Sequence, residues 1–257
     1  MVGIRRYTHV YLSPHLDDVA LSCGGRIWQQ ARAGGHVAVV TVFAAAPEPD
    51  ARLSSYAREL HARWGRPGEA VEKRQEEDLQ ALSLLDAKPL HWPYTDCIYR
   101  RTPGGDFPYA SEEALWGDIH PSDAGLIREL AERIRALPLL PEGTLYTPLG
   151  VGDHVDHRIL RQAAEVSEHA LTAYEDFPYA QVREAAERAL ANRCWESELV
   201  LLSEHALGAK IAAIACYGSQ TSTFWGSTMD MAAAVRAFAE RTGNGRPAER
   251  YWRPTLL

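Results

Sequence analysis

Residues 7–43 read YTHVYLSPHLDDVALSCGGRIWQQARAGGHVAVVTVF, and this stretch decides the fold. Tyr7–Leu12 and His36–Phe43 are compact runs rich in β-branched residues, a pattern that predicts two strands. Between them, Val19–Ala33 has the spacing of a helix that ends at the glycine pair 34–35. A strand, a helix and a strand in such close succession predict a crossover between parallel strands.

The alternation of short β-rich runs with amphipathic runs continues along the chain. Helices are predicted at Glu69–Leu85, Asp123–Ala136, His157–Ala170, Tyr179–Ala191 and His205–Tyr217, and strands at Pro89–Trp92, Thr144–Thr147, Leu171–Tyr174 and Glu198–Leu202. This alternation predicts an α/β, Rossmann-like layered fold with a mostly parallel sheet and helices on both faces. Because there is no internal repeat or low-complexity linker, we expect residues 1–257 to form a single domain.

The composition, with 46% hydrophobic and 24% charged residues, is that of an ordinary soluble globular protein. A net charge of −7 argues against a nucleic-acid groove or an anionic membrane as the main partner. The four cysteines are far apart, which predicts free thiols in a reducing compartment. No signal peptide or membrane-spanning run is evident, so we expect a cytoplasmic protein. The sequence leaves homo-oligomerisation open.

The first group of chemically active side chains is Ser13-Pro-His15-Leu-Asp17-Asp18, directly after the first strand. Sites in open α/β sheets lie beyond the carboxyl ends of strands, so this segment stands where a site is expected. His15 and Asp18 can converge on one metal ion while Asp17 faces a bound water. The alternative is that the aspartates only cap the next helix, which does not explain a histidine beside two carboxylates.

A second group, Gly150-Val-Gly-Asp153-His154-Val-Asp-His157, directly follows the predicted strand Thr144–Thr147. Its glycines let the backbone turn tightly and approach a ligand. The alternative is a surface helix start that is capped by Asp153 and carries solvated histidines. Two such groups at strand-to-helix loops of one parallel sheet favour a shared site. A His, Asp, His ligand set that leaves a position open for water is typical of a catalytic zinc ion.

These two groups resemble the motifs of the LmbE-like or PIG-L-like N-deacetylases, zinc enzymes that remove acetyl groups from N-acetylglucosamine-containing molecules. The family pattern [AS]-P-H-x-D-D-x-x-L-x-x-G-G is matched by residues 13–25, and H-x-D-H is matched by residues 154–157. Weaker similarities are Arg74-x-x-Glu77, Tyr94-Thr-Asp96, and Lys210 followed by Tyr217-Gly-Ser-Gln220. In this order, the similarities span nearly the whole chain.

The resemblance implies a role for each matching residue. The metal ligands would be His15, Asp18 and His157, and the general base would be Asp17. His154 would be the second catalytic group, and Asp156 would orient a histidine. Arg74 and Asp96 would contact the substrate. A bound Zn²⁺, or another divalent transition metal, lowers the pKa of its water towards about 7, so that a carboxylate can take the proton. An imidazolium at His154 would then stabilise the oxyanion.

Three positions depart from the family pattern. Leu16 replaces the commoner proline of H-P-D-D-E, and Val19 replaces its glutamate. Neither position supplies a ligand, but the loss of the glutamate removes a polar group from the surroundings of the metal. Gly152 stands where some family members carry a tyrosine that aids the oxyanion, so any such help must come from elsewhere in this chain.

Two long irregular stretches, Ala44–Leu53 and Tyr94–Pro121, follow predicted strands, and we expect them to rim the site. The second stretch carries a mixture of groups suited to a hydroxylated ring, namely Asp96, Tyr99, Arg100, Arg101 and Trp116. His61 falls in neither group, and we expect it to be solvated.

The predicted function is metal-dependent removal of the N-acetyl group from an N-acetylglucosamine-type amino sugar or its conjugate. The absence of G-x-G-x-x-G after the first strand argues against a dinucleotide dehydrogenase. Two alternatives stay open. A metal-dependent phosphoesterase would more often show two metals and further carboxylate ligands. A non-catalytic glycan-binding protein that retains the metal would not need Asp17 and His154.

Overall fold

A computed structural model describes residues 6–64, 70–191 and 194–255. Within these ranges one sheet contains seven strands: β1 (Tyr7–Ser13), β2 (Val37–Thr41), β3 (Lys88–His91), β4 (Leu139–Pro148), β5 (Leu171–Tyr174), β6 (Trp195–Leu201) and β7 (Ala248–Pro254). The described helices are α1 (Asp18–Arg32), α2 (Ser55–Arg63), α3 (Ala70–Leu84), α4 (Glu112–Leu115), α5 (Ala124–Arg135), α6 (Val155–Val166), α7 (Arg183–Leu190), α8 (Glu204–Ile214), α9 (Gly218–Phe224) and α10 (Thr228–Thr242). None of them is both long and apolar enough to cross a membrane.

The strand order is β3-β2-β1-β4-β5-β7-β6, and all pairings from β3 to β5 are parallel. The last strand, β7, runs antiparallel to both β5 and β6. One apolar cluster joins the sheet to α5 and α6 on one face, and another joins it to α1, α3 and α8 on the other. The predicted Rossmann-like layered fold with a mostly parallel sheet is therefore confirmed.

The sheet order reverses direction between β1 and β4, which are adjacent and parallel, with Tyr11 opposite Tyr146. The chain after β1 enters α1, and the chain after β4 enters α6. Loops that leave neighbouring strands in opposite directions open a crevice at the carboxyl edge of such a sheet. The two groups of polar residues noted in the sequence therefore meet at this crevice.

The glycine pair that ends the first motif allows a close approach inside α1. A Cβ atom at Gly25 would lie 2.6 Å from a methyl carbon of Leu202 and 3.0 Å from a carboxylate oxygen of Glu249. That carboxylate accepts hydrogen bonds from the Gly25 amide at 2.9 Å and from the ammonium group of Lys210, also at 2.9 Å. Gly25 is thus needed because α1 is anchored to β7 and α8 at this point.

Several elements differ from the predictions. The predicted helix Tyr179–Ala191 is a 3-10 turn at Tyr179–Gln181 followed by α7. The start of the helix predicted from Glu69 lies outside the described residues, and α3 is described from Ala70. The sequence interpretation did not include α2, α9, α10 and β7. Strand β4 begins earlier than predicted because it runs through Pro141, Glu142 and Gly143, residue types that are depleted in strands.

Candidate metal centre

The loop after β1 is folded back on itself, which brings its side chains together at the crevice. The Asp18 carboxylate accepts a hydrogen bond from the His15 amide at 2.8 Å. Asp17 lies between them at φ 150°, ψ −34°, a region that non-glycine residues rarely adopt. Such a conformation costs on the order of 1–3 kcal/mol, which surrounding contacts must offset. Asp17 makes no capping hydrogen bond to α1, so the capping alternative does not describe its side chain.

Three side chains from the two loops converge on one point. Asp18 Oδ2 lies 3.3 Å from His15 Nδ1 and 3.4 Å from His157 Nε2. Ligand atoms at 2.0–2.2 Å from a tetrahedral zinc ion are separated from one another by about 3.3–3.6 Å. Both separations lie in this interval, so the Asp18 oxygen stands at zinc-ligand spacing from each of the two histidine nitrogens.

Two buried carboxylates set the tautomers of these histidines. His15 Nε2 donates to Asp156 Oδ2 at 3.0 Å, and His157 Nδ1 donates to Asp176 Oδ1 at 2.7 Å. With a metal ion bound beside Asp18, each imidazole would keep its proton on the outer nitrogen and offer the lone pair of the other nitrogen to the ion. Carboxylates that hold ligating histidines in this way are the usual surroundings of protein metal sites.

The electrostatics of the three side chains show a site shaped for positive charge. Burial opposes the imidazolium form, but Asp18 and Asp176 outweigh it and raise the pKa of His157 to about 9. Burial likewise opposes ionisation of Asp18, yet His157 and His15 hold its pKa well below the usual range. A divalent cation at the shared point supplies the positive charge that the protons otherwise provide.

Other donor combinations are present in the described residues. Nitrogens of His15, His154 and His157 lie within 4.8 Å of one another, and so do donor atoms of Cys97, His154 and Asp156. In the second group, Asp156 is already held by His15 and by an ion pair of 2.6 Å with Arg100. Asp18 is the donor whose oxygen lies at zinc-ligand spacing from both His15 and His157, which favours it as the third ligand.

Asp17 lies beside the convergence point in a buried position. Burial and the negative charge of Asp18 raise its pKa to about 7, although Arg74 acts in the opposite direction. The nearest guanidinium nitrogen of Arg74 lies 3.9 Å from Asp17 Oδ1. A carboxylate with a pKa near neutrality is suited to accept and return a proton.

His154 occupies the N-cap position of α6, a role that the sequence interpretation considered for Asp153. Its Nδ1 accepts a hydrogen bond from the Asp156 amide at 3.2 Å, so a neutral ring carries its proton on Nε2. Burial and the neighbouring charges of His15 and His157 lower the pKa of His154 to about 3. The ring is therefore a neutral donor, in contrast to the predicted imidazolium.

A cavity of about 280 Å³ opens from this centre to the surface. Its floor is polar, whereas its walls are mainly apolar and aromatic, and they include Tyr56, Leu60, Trp64, Leu115, Trp116, Tyr179 and Phe224. These wall residues come from α2, the loop before α3, α4, the turn after β5, and α9. The floor holds the reactive groups, and the walls shape what reaches them.

The two predicted substrate contacts, Arg74 and Asp96, both line this cavity. Arg74 is buried, with its guanidinium 5.0 Å from the ring centre of Trp64, so it does not lie on a solvated helix face. Asp96 Oδ2 lies 3.6 Å from His15 Nε2, the ring nitrogen that also bonds Asp156.

The predicted rim is partly wrong. Residues 44–53 line a different cavity, beside α2 and the start of α3. Arg100 points inwards to pair with Asp156, and Tyr99 is buried with its hydroxyl on His61. His61 is consequently buried and not solvated. Burial of these side chains follows from the aromatic and apolar cluster that packs the 94–121 segment under α2.

Asp176 is the main site residue that the sequence interpretation missed. It follows β5 and is almost fully buried. Its Oδ2 accepts hydrogen bonds from the Gly150 and Val151 amides at 2.8 and 2.9 Å, while Oδ1 holds His157. The available signal was the Glu-Asp pair at the carboxyl end of a predicted parallel strand, the same position from which the two motifs were identified.

Comparison with known proteins places these features in a family. The family profile described as PIG-L, GlcNAc-PI de-N-acetylase, matches residues 10–168, more than half of the chain. A 2'-N-acetylparomamine deacetylase of Streptomyces fradiae is 31% identical over 85% of this chain and 75% of that protein. A 2'-N-acetylparomamine deacetylase of Niallia circulans is 27% identical over 67% of each chain.

The same comparison with solved structures identifies a close neighbour in fold. The zinc-inhibited form of teicoplanin deacetylase Orf2 superposes with a TM-score of 0.84 and 29% sequence identity, covering 96% of this chain and 97% of that one. A teicoplanin deacetylase in complex with teicoplanin superposes with a TM-score of 0.81 and 28% identity, covering 96% of each chain.

Proposed function

The chain belongs to the PIG-L (GlcNAc-PI de-N-acetylase) family of N-deacetylases, and from this premise we propose that it is a zinc enzyme that hydrolyses the N-acetyl amide of an amino sugar carried on a larger glycoside. The ligands are His15, Asp18 and His157. The observation that carries the proposal is the convergence of Asp18 Oδ2 with His15 Nδ1 and His157 Nε2 at tetrahedral spacing. The single sheet that joins β1 to β7 supports one deacetylase domain over residues 1–257.

Zinc suits this site because two imidazole nitrogens and one carboxylate oxygen leave a coordination position free for water. When bound, the ion supplies Lewis-acid activation of that water and of the amide carbonyl. The protein contributes the fixed direction of the ligands, which Asp156 and Asp176 provide through the two histidines.

Asp17 is the proposed general base. Its carboxylate removes one proton from the attacking water as the water oxygen bonds to the acetyl carbon. The same proton then passes to the sugar nitrogen when the carbon–nitrogen bond breaks, so the amine leaves together with acetic acid, whose remaining proton is lost to solvent to give acetate. A pKa near 7 allows both transfers.

His154 is the proposed second catalytic group, acting as a neutral hydrogen-bond donor. The Asp156 amide fixes its tautomer with the proton on Nε2, and the ring lines the floor of the cavity. A neutral imidazole N–H can polarise the acetyl carbonyl without placing a further positive charge beside the metal ligands.

The substrate class is proposed from the relatives together with the cavity. The curated relatives are named for N-acetylparomamine and the structural neighbours for teicoplanin. A small polar floor suits the acetamide, and an open cavity with aromatic walls suits a sugar ring and the group attached to it. Arg74 and Asp96 remain proposed contacts for sugar hydroxyls. The absence of nucleic-acid and membrane partners, and a cytoplasmic location, stay predictions.

The test is an amine-release assay on chelator-treated protein with divalent metals added back one at a time. The substrates are 2'-N-acetylparomamine, a glycopeptide N-acetylglucosaminyl pseudoaglycone and simple N-acetylglucosamine glycosides. We expect metal-dependent release of acetate and a primary amine, lost in His157→Ala together with metal affinity. Activity that persists without metal, or release from none of these glycosides by the zinc-loaded protein, would overturn the proposal.

A further inference from the structure

Tyr179 stands at the wall of the cavity directly above the metal-binding histidine. Its ring packs edge-on against His157, with ring centres 6.0 Å apart and planes at 79°, and edge-on against Trp116 at 5.4 Å. The residue lies on the 3-10 turn that follows β5, three positions after Asp176. Its position is therefore set by the same segment that orients His157.

Gly152 makes this position available to the ring. A Cβ atom at Gly152 would lie 2.9 Å from both Cβ and Cγ of Tyr179, closer than such atoms approach in proteins. Gly152 also has φ +91°, a conformation that side chains rarely adopt. The second motif thus leaves a gap that Tyr179 fills from the turn after β5.

Tyr179 is partly buried, and its hydroxyl differs from those of the fully buried tyrosines. The six largest fully buried tyrosines all hydrogen-bond through their hydroxyls to described residues, namely Tyr11, Tyr109, Tyr146, Tyr174, Tyr217 and Tyr251. Tyr179 makes no side-chain hydrogen bond to any residue in the described part of the chain. A partly buried phenol that lines a reactive cavity in this way is a donor available to a ligand.

We infer that Tyr179 is a further catalytic residue, whose hydroxyl donates a hydrogen bond to the acetyl oxygen of the substrate. The inference rests on the proposed deacetylation. As water attacks, the carbonyl π electrons move onto this oxygen, and the tyrosine hydrogen bond stabilises the charge that develops there. Tyr179 keeps its proton throughout, because the proton of the water passes through Asp17 to the leaving amine.

The surroundings favour a donor that stays protonated. Burial, followed by the negative charges of Asp18 and Asp17, raises the pKa of Tyr179 well above its ordinary value. A tyrosine hydroxyl with an ordinary pKa of about 10 is already neutral at physiological pH, so the role of Tyr179 rests on its position and on a hydroxyl that no described residue bonds. Its donor complements that of His154, which reaches the cavity from the adjacent loop.

The experiment compares Tyr179→Phe with Tyr94→Phe as a matched control. The control removes a hydroxyl that bonds Glu129 on α5, away from the cavity. With the zinc-loaded proteins and a glycoside that the wild type cleaves, we expect Tyr179→Phe to lose about 10²–10³ in kcat, the range for removal of one oxyanion donor. KM, zinc affinity and melting temperature should remain close to wild type, and the control should retain full activity.

A binding measurement separates catalysis from packing. A phosphonamidate of the amino sugar mimics the tetrahedral species. Its dissociation constant for Tyr179→Phe should rise by about the same factor by which kcat falls, whereas the amine product should bind this variant as tightly as it binds the wild type. Unchanged kcat and unchanged phosphonamidate affinity in Tyr179→Phe would overturn the assignment, as would equal losses for product and phosphonamidate. If the wild type itself releases no amine, the proposed function fails and not the role of Tyr179.

Discussion

Replacing Asp176 by asparagine tests whether the metal site depends on a residue that touches no metal. The carboxylate holds the His157 ring with one oxygen and two loop amides with the other. An asparagine that keeps its oxygen on the Gly150 and Val151 amides must turn its NH₂ group towards His157 Nδ1. The imidazole then has to accept at Nδ1 and protonate Nε2, which removes the lone pair that faces Asp18.

The expected loss follows from this tautomer change. Outer partners of ligating histidines typically contribute 10- to 100-fold in metal affinity, which is about 1.4–2.8 kcal/mol. The free energy of unfolding of the metal-free protein should fall less, by roughly 1 kcal/mol, because both loop amides keep an acceptor. The distinguishing result is therefore a large loss of zinc affinity with a small loss of stability.

The assay is competition between the chelator-treated protein and a chromophoric chelator for Zn²⁺, alongside urea unfolding without metal. Glu175→Gln is the matched control, because it makes the same chemical change at the neighbouring residue. Glu175 bonds Arg250 and Trp252, on β7, and not a metal-binding histidine. We expect the control to lose stability but keep zinc affinity. If Asp176→Asn binds zinc as tightly as wild type, the tautomer argument is refuted.

Three further predictions concern single side chains. Asp17→Asn should keep metal but lose about 10²–10⁴ in kcat; normal turnover at full metal occupancy in a metal and kinetic assay would exclude Asp17 as the base. Lys210→Met should lower the free energy of unfolding by about 3–5 kcal/mol in urea titration, since Glu249 is left buried without its cation; a loss within error would show that the backbone donors suffice. Burial, followed by the charge of Arg26, lowers the pKa of His9 in the folded protein to about 4, whereas in the unfolded chain it is 6.5. Between these two pH values only the unfolded chain binds the proton, so the free energy of unfolding falls as the pH is lowered from 6.5 to 4. His9→Gln should flatten that part of the stability–pH curve, and an unchanged slope would contradict this assignment.

The parts of the fold that the sequence predicted are those specified locally. The strand–helix–strand unit at residues 7–43 needs only β-branched runs, a helical spacing and a glycine pair, and it forms β1, α1 and β2. The crevice follows from parallel order, because the carboxyl ends of β1 and β4 share one sheet edge. A local signal for α10 was also present, since Ser227 caps it and buried Met231 and Val235 are four residues apart.

The parts that the sequence could not give depend on contacts between distant segments. Arg100 reads as a surface cation in a polar loop, yet it neutralises Asp156, which is 56 positions away in the chain and fully buried. The bonding of Gly25 to Glu249 likewise requires β7 to enter the sheet between β5 and β6. No periodicity within either segment encodes such pairings, so the burial of charged side chains could not be derived from local pattern.

The side chains proposed to bind metal or react lie on different segments of the chain from several of the side chains that hold them in place, and this has a physical reason. The proposed metal ligands, the proposed base Asp17 and His154 lie on the loops after β1 and β4 and at the starts of the helices that follow, which meet at the crevice. Backbone amides of these loops hold Asp18 and His154, but the outer nitrogens of His15 and His157 need carboxylate acceptors. The holding groups therefore come from other segments: Asp176 after β5 fixes His157, and Arg100 fixes the carboxylate that orients His15. A motif search finds the first class of residue, whereas the second class is found only once the strand order places its members beside the first.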